Sequence, residues 1–329
     1  MREICLMTRA AYCIALAAAL SASSAGHADD VPGLGAIANH DHSPIYVRSR
    51  PVIERLPVKV IEPVDLVLSR KSHVFIADRK AECVFRLDEQ GAVSFMIEGL
   101  PGIERIQLDV DNSLYVLTST GGESSLHQVT PGGQRVVLQT FSFPASAFVR
   151  DEEGFSVIAV KNSGRLVSLS PEGEISDLSL LSRPALDLIH NAGGQLEALL
   201  SAGQIVRIDE SGEAVSSGHT TVRSTRLSSL GDGHLLSLAE AENGRAEIVR
   251  VSREVERPDQ FDVTATVPAG TRAVGFDSLG NLCLANPDLR AVTKVTSHFL
   301  IPCPHCNKPT QMIFRTDTDP NVRDDIRSF

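Results

Sequence analysis

The chain has 329 residues, 42% of them apolar, enough to bury a large core as one repeat domain or two ordinary ones. Its 31 Lys and Arg stand against 41 Asp and Glu, a net charge of −10. That balance argues against a nucleic-acid surface, which needs a basic stripe. Aromatic residues make up 5% and Trp is absent, so stacked-aromatic platforms for sugars or bases are not expected either.

The first 28 residues read as an export signal. Arg2 and Arg9 supply a positive start, residues 10–20 an apolar run, and Ala25 and Ala28 small residues at plausible cleavage points. The run is short for a membrane span, so the mature chain is expected to be periplasmic or secreted with no span left. Cys5 and Cys13 leave with the signal. Cys83, Cys283, Cys303 and Cys306 then face an oxidising compartment.

Residues 29–57 carry Pro32, Gly33, Pro44, Pro51 and Pro57 and no sustained periodicity, and read as a linker. From Val58 a repeat takes over. Its best-written copy is Val74-Phe75-Ile76-Ala77-Asp78, a short polar loop, Cys83-Val84-Phe85-Arg86-Leu87, then a turn at Gly91. Turns before Val74, Leu114, Phe155, Leu196, Leu235 and Leu282 fall 40, 41, 41, 39 and 47 residues apart, the fifth unit being lengthened near residues 254–261. A second series at Gly91, Gly133, Gly173 and Gly212 keeps the same period, at 42, 40 and 39 residues. Gly, Asn and Asp at these points accept the positive φ of tight hairpins.

Two turn series with one period of about 40 residues are the mark of propeller blades. The expected fold is all-β: a six-bladed β-propeller over residues 58–299, followed by a Cys-x-x-Cys tail over 300–329 with a mobile end. The sixth unit shows only three strands, at 273–276, 282–285 and 292–295. The missing outer strand is assigned to residues 58–61, with 299–301 as competitor, because joining the chain ends in one blade removes open sheet edges.

The first unit resembles an NHL-type repeat: an apolar strand ending in Ala77-Asp78, a second apolar strand, and an Asp-x-x-Gly-like turn at Asp88–Gly91. The last unit matches more loosely at Ala285-Asn286, and elsewhere the Asp position holds Thr118, Lys161, Ser201 or Glu240. The resemblance implies a propeller and no particular ligand.

Strand order then sorts the candidate residues. The loops between second and third strands share one face with the crossings between blades, the face where propellers usually hold ligands. Asp65, Glu104, Arg105, Asp187, Arg226 and Arg272 lie at crossings, and Asp78 and Asn286 end second strands. Asp65, Asp78, Arg105, Asp187, Arg226, Arg272 and Asn286 are therefore the candidate set at the channel mouth for a small polar or anionic ligand. The competing reading is that the charges pair with one another. His73, His190 and His234 belong to the opposite face. Gluconolactonase and paraoxonase propellers resemble this architecture, and the resemblance implies a channel Ca²⁺ held by carboxylate and amide oxygens, although four such ligands do not assemble here.

In the tail, Cys303-Pro304-His305-Cys306 resembles the active sequence of thioredoxin-class oxidants but lacks the helix that activates the thiol. It also resembles half of a zinc ribbon, leaving Zn²⁺ at Cys303 and Cys306, or a disulfide between them, as the two expectations. Cys83 and Cys283 are expected as buried thiols, too far apart to bridge. The functional expectation is an exported, non-enzymatic recognition or scaffold module with a protein partner or small polar ligand. The alternative is a metal-dependent small-molecule hydrolase or lactonase.

Overall fold

The structure, a computed structural model of the whole chain, describes residues 45–47, 52–69, 73–88, 90–191, 193–229, 235–241, 245–253, 262–276, 282–296, 298–302 and 309–314. The described residues form 27 strands, β1 to β27 in chain order, arranged as six four-stranded sheets and one three-stranded sheet. The fold is a six-bladed β-propeller. Among the described residues no helix is long and apolar enough to cross a membrane.

Each blade is a meander of antiparallel strands running outward from the axis. The innermost strands are β3 (Pro63–Leu68), β7 (Ile103–Leu108), β11 (Ala145–Arg150), β15 (Ala185–His190), β19 (Ser224–Ser229) and β23 (Ala273–Phe276). The second strands are buried along their length, as in β4 (Val74–Asp78) and β16 (Leu196–Leu200). This is why they read as continuous apolar runs rather than alternating ones. The outermost strands start exposed on both faces, as in β14 (Ile175–Leu180). The hydrophobic core is accordingly divided into six clusters, one between each pair of neighbouring blades.

Where the turns are described both series hold as expected, and those before Val74, Leu235 and Leu282 fall wholly or partly outside the described residues. Gly91, Gly133, Gly173 and Gly212 have φ of 78°, 81°, 87° and 83°, and each donates its N–H back three residues to close the turn. In the other series Asn112, Gly154 and Gly194 do the same work at positive φ.

Closure differs from expectation by one strand. The outer strand of the sixth blade is β2 (Val52–Leu56), antiparallel to β25 (Ala291–Thr296), with Ile53 opposite Val295 and Leu56 opposite Val292. Residues 58–61, assigned that role from the sequence, instead run inward as a connection, with Val58 and Val60 buried between blades six and one. Alternating apolar residues on a connection that crosses a blade interface look like a strand in the sequence. Residues 299–301 also leave the propeller: β26 (His298–Pro302) pairs with β27 (Pro309–Phe314), and β27 runs parallel to β1 (Ile45–Val47). The stretch read as a linker thus contains two strands. Cys303 and Cys306, residues 315–329, the export signal, His234 and residues 254–261 lie outside the described residues. Cys83 and Cys283 are both buried thiols.

Candidate functional site

The six innermost strands surround the axis, and an irregularity in pairing near the start of five of them turns one residue inward at a matching level. The residue following each shift is Asp65, Arg105, Ala147, Asp187 or Arg226, opposite Ala77, Leu117, Ala159, Leu199 and Leu238. In the sixth blade Ala273 pairs with Ala285 at that level. Read around the ring, the order is Asp, Arg, Ala, Asp, Arg, Ala.

That order produces a network with an internal two-fold relation. Asp65 accepts the N–H of Leu66 at 3.0 Å and that of Ile106, in the next blade, at 2.9 Å. Asp187 accepts the N–H of Leu188 at 3.0 Å and that of Leu227, in the next blade, at 2.7 Å. Arg105 reaches two blades on to the carbonyl of Leu186 at 2.9 Å, and Arg226 two blades on to that of Val64 at 2.6 Å. Arg105 also pairs with Asp187 at 2.8 Å. The two arginines therefore brace non-adjacent blades across the axis, and the two aspartates join neighbouring ones.

Burial dominates the acid–base behaviour of the quartet. It pushes the Asp187 carboxyl up to about 6, against the attraction of Arg105 and the bond from Leu227, with the charge of Asp65 adding to the rise. Burial likewise raises Asp65, with Arg105 and the two backbone donors opposing.

On one side of the quartet lies a cavity of about 800 Å³, walled by the inner strands and extending to the hairpins that follow them, at Asp109, Asp151 and Asn191. Asp65, Arg105, Asp187 and Arg226, candidates inferred from strand order, line the crossing end of this cavity. Arg105 and Arg226 span the axis at the crossing end. Toward the hairpins the wall is formed by Val67, Gln107, Val149, Ile189, Ser228 and Gly275. Gly275 has no room for a side chain: a Cβ there would meet Leu66 and Leu68 of blade one at 2.7 and 2.8 Å.

Of the seven candidates, the structure brings Asp65, Arg105, Asp187 and Arg226 together and leaves the other three apart. Asp78 is fully buried, and its carboxylate accepts the N–H groups of Ile61, Glu62 and Ala81. Asn286 holds the matching position in blade six. Its Oδ1 accepts the N–H of Leu289, three residues on, as Asp78 does with Ala81, while its Nδ2 donates to the carbonyl of Ala269 at 2.8 Å. Seventeen residues before Asp78 the chain offers an N–H, and seventeen before Asn286 a C=O. That difference accounts for acid in one blade and amide in the other. Arg272 is exposed. Glu104 bridges Arg79 at 2.6 Å and Lys161 at 3.1 Å on the crossing face.

A channel cation of the gluconolactonase kind does not fit these residues. The Asp65 and Asp187 oxygens accept backbone N–H groups beside a guanidinium, and Asp78 and Asn286 are occupied by their own loops. Among the described residues no three His, Cys, Asp or Glu side chains converge on a point.

The cavity wall also includes residues that the sequence reading passed over. Gln107 and Arg150 exchange two bonds between blades two and three, Gln107 Nε2 to the Arg150 carbonyl at 2.7 Å and the Arg150 N–H to Gln107 Oε1 at 2.8 Å. The Arg150 guanidinium lies 4.7 Å from the centre of the Tyr115 ring. Burial lowers His190, with Asp151 opposing. The signal was available for two of them: Gln107 and His190 lie two and three positions after Arg105 and Asp187 on the same inner strands, and strand order places His190 on the hairpin face.

No known family profile matches the chain, and no curated protein sequence does. Solved structures do. A virginiamycin B lyase from Staphylococcus aureus aligns at 13% identity and a TM-score of 0.55, over 75% of this chain and 99% of its own. A gluconolactonase from Xanthomonas campestris aligns at 10% and 0.57, over 75% and 95%. An auxiliary nutrient binding protein from Bacteroides ovatus aligns at 10% and 0.55, over 76% and 77%. At these identities the likeness is one of fold.

Proposed function

We propose that the protein is an exported recognition module that binds a small molecule in its axial cavity. The cavity itself carries this reading: about 800 Å³ lies within the range of small-molecule sites, and half-buried apolar side chains such as Val67, Leu108 and Ile189 share its wall with a few polar groups. The quartet argues against chemistry at the crossing end, since its carboxylates and guanidiniums hold one another and the backbone. A nutrient binding protein among the similar folds is in keeping with this role, and a lyase and a gluconolactonase are in keeping with the alternative of a small-molecule hydrolase.

The test is a thermal-shift screen of a small-metabolite library against the mature protein and against Ile189→Trp, which fills the cavity from β15. A compound that stabilises the parent and not the variant supports the reading. Stabilisation of both alike would refute it. Metal analysis of the same protein addresses the alternative and the tail together. Ca²⁺ lost on Asp65→Ala supports the hydrolase, and Zn²⁺ lost on Cys303→Ser supports a zinc-bound tail.

A further inference from the structure

Arg105 is 3% exposed, and its Nη2 makes both contacts just described, to Asp187 and to Leu186. Its Nε and Nη1 are buried and have no hydrogen-bond partner among the described residues. Guanidinium carries five N–H donors, so three of them are unmatched. An unmatched buried donor costs about 1–3 kcal/mol, more when charged, and in a native protein such a group points to an ion, a water or a role. Arg105 belongs to the floor of the axial cavity, beneath the half-buried or buried apolar side chains of Val67, Leu108, Phe148, Ile189 and Phe276. The cavity therefore offers apolar side chains and an under-satisfied cation at its crossing end, while Asp109, Asp151, Glu152 and Glu153 line its hairpin end.

We infer that the axial cavity takes an organic anion, a carboxylate carried on an apolar body, with its head group on the Arg105 guanidinium. The inference rests on the cavity being the binding site and adds the class of ligand. Arg105 meets the head group by turning about its own side-chain torsions, which brings Nε and Nη1 toward the cavity without moving the strand.

Charge balance sets the pH behaviour. The floor already holds two guanidiniums and two carboxylates, so a third carboxylate leaves it negative unless a proton is taken up. Asp187 is the acceptor, because burial has pushed it up to about 6. The groups around it are Arg105 from β7, Asp65 from β3 and Arg226 from β19. At that level β11 contributes Ser146 and Ala147 and β23 contributes Ala273, none of which titrates. Protonated Asp187 still accepts the N–H of Leu227 while releasing Arg105 to the ligand.

The experiment is calorimetric titration of the mature protein with octanoate, octylamine and octanol at about pH 6 and about pH 8. Octanoate is expected to bind best, with proton uptake, and to weaken at least about tenfold at the higher pH. Arg105→Gln is expected to weaken octanoate at least about tenfold and leave octanol unchanged. Should that variant fail to fold, Asp187→Asn serves instead, and it must abolish the proton uptake. Uptake that survives Asp187→Asn, or octanoate binding equal to that of octanol, overturns the inference. In the second case the cavity stands as a binding site and only the ligand class falls. If none of the three binds, the ligand class is likewise overturned, and the library screen with Ile189→Trp decides the cavity separately.

Discussion

Asp187 makes the propeller's stability depend on pH in a way that a single substitution isolates. Its carboxyl is pushed from the ordinary 3.8 up to about 6 in the folded protein, chiefly by burial. A folded-state value above the unfolded one means that the native state holds the proton more tightly. The stability this adds is fully present below about pH 4 and is lost as pH rises through about 6. Linkage between those two values gives almost nothing at pH 7.5, about 1 kcal/mol at pH 5 and about 2 kcal/mol at pH 4. Asp187→Asn removes this term. It also alters the pairing of Arg105, but that offset is nearly independent of pH, because Arg stays charged throughout. His127 and His190, both lowered by burial, act in the opposite direction and are common to the two proteins. The measurement is urea unfolding of parent and variant at pH 7.5 and pH 5. The parent should gain about 1 kcal/mol on the variant between those conditions, roughly 2–4 °C in melting temperature for a domain of this size. Parallel pH profiles for the two proteins would refute the burial argument.

Other predictions follow from single contacts. Glu197, 2% exposed, receives two bonds from Arg253 at 2.9 and 3.1 Å, joining blades four and five. Arg253→Ala should cost about 2–3 kcal/mol, the low end for breaking a buried pair because Arg253 is partly solvated, and adding Glu197→Gln should restore part of it in denaturant titrations. Gly275→Ala must push Leu66 and Leu68 aside where blade six meets blade one, and should lower the melting temperature, whereas Gly91→Ala, with open space around it, should cost only its positive φ. Asp78→Ala leaves three backbone N–H groups without their acceptor and should lose about 3 kcal/mol or more, read by chemical denaturation. Cys83 is pushed up to about 12 by burial and by the Asp78 and Glu98 charges, so a thiol reagent at pH 8 should label it only after unfolding.

The blades were legible in the sequence because what makes them is local. Gly91, Gly133, Gly173 and Gly212 mark turns that need positive φ whatever surrounds them, and Val74–Ala77 reads as a buried strand from four apolar residues in a row. Closure was legible in principle and misplaced in detail. Val58-Lys59-Val60 alternates as a strand would while Val52-Ile53-Glu54-Arg55-Leu56 does not, and only the pairing of Val52–Leu56 with β25 identifies the true strand. The inward charges at Asp65, Arg105, Asp187 and Arg226 were visible as a set. Their mutual bracing and its two-fold relation were not, since Arg226 and Val64 stand 162 positions apart.

The cavity shows the same division. Chain order alone determined that six inner strands would line an axis and which loops would share each face, because meander topology follows from turn spacing. How the charged side chains meet across that axis was decided by tertiary structure. Arg105 and Arg226 are long enough to cross the channel and find carbonyls two blades away. The lengths are written in the sequence, but the distance that they must span exists only once the ring has closed.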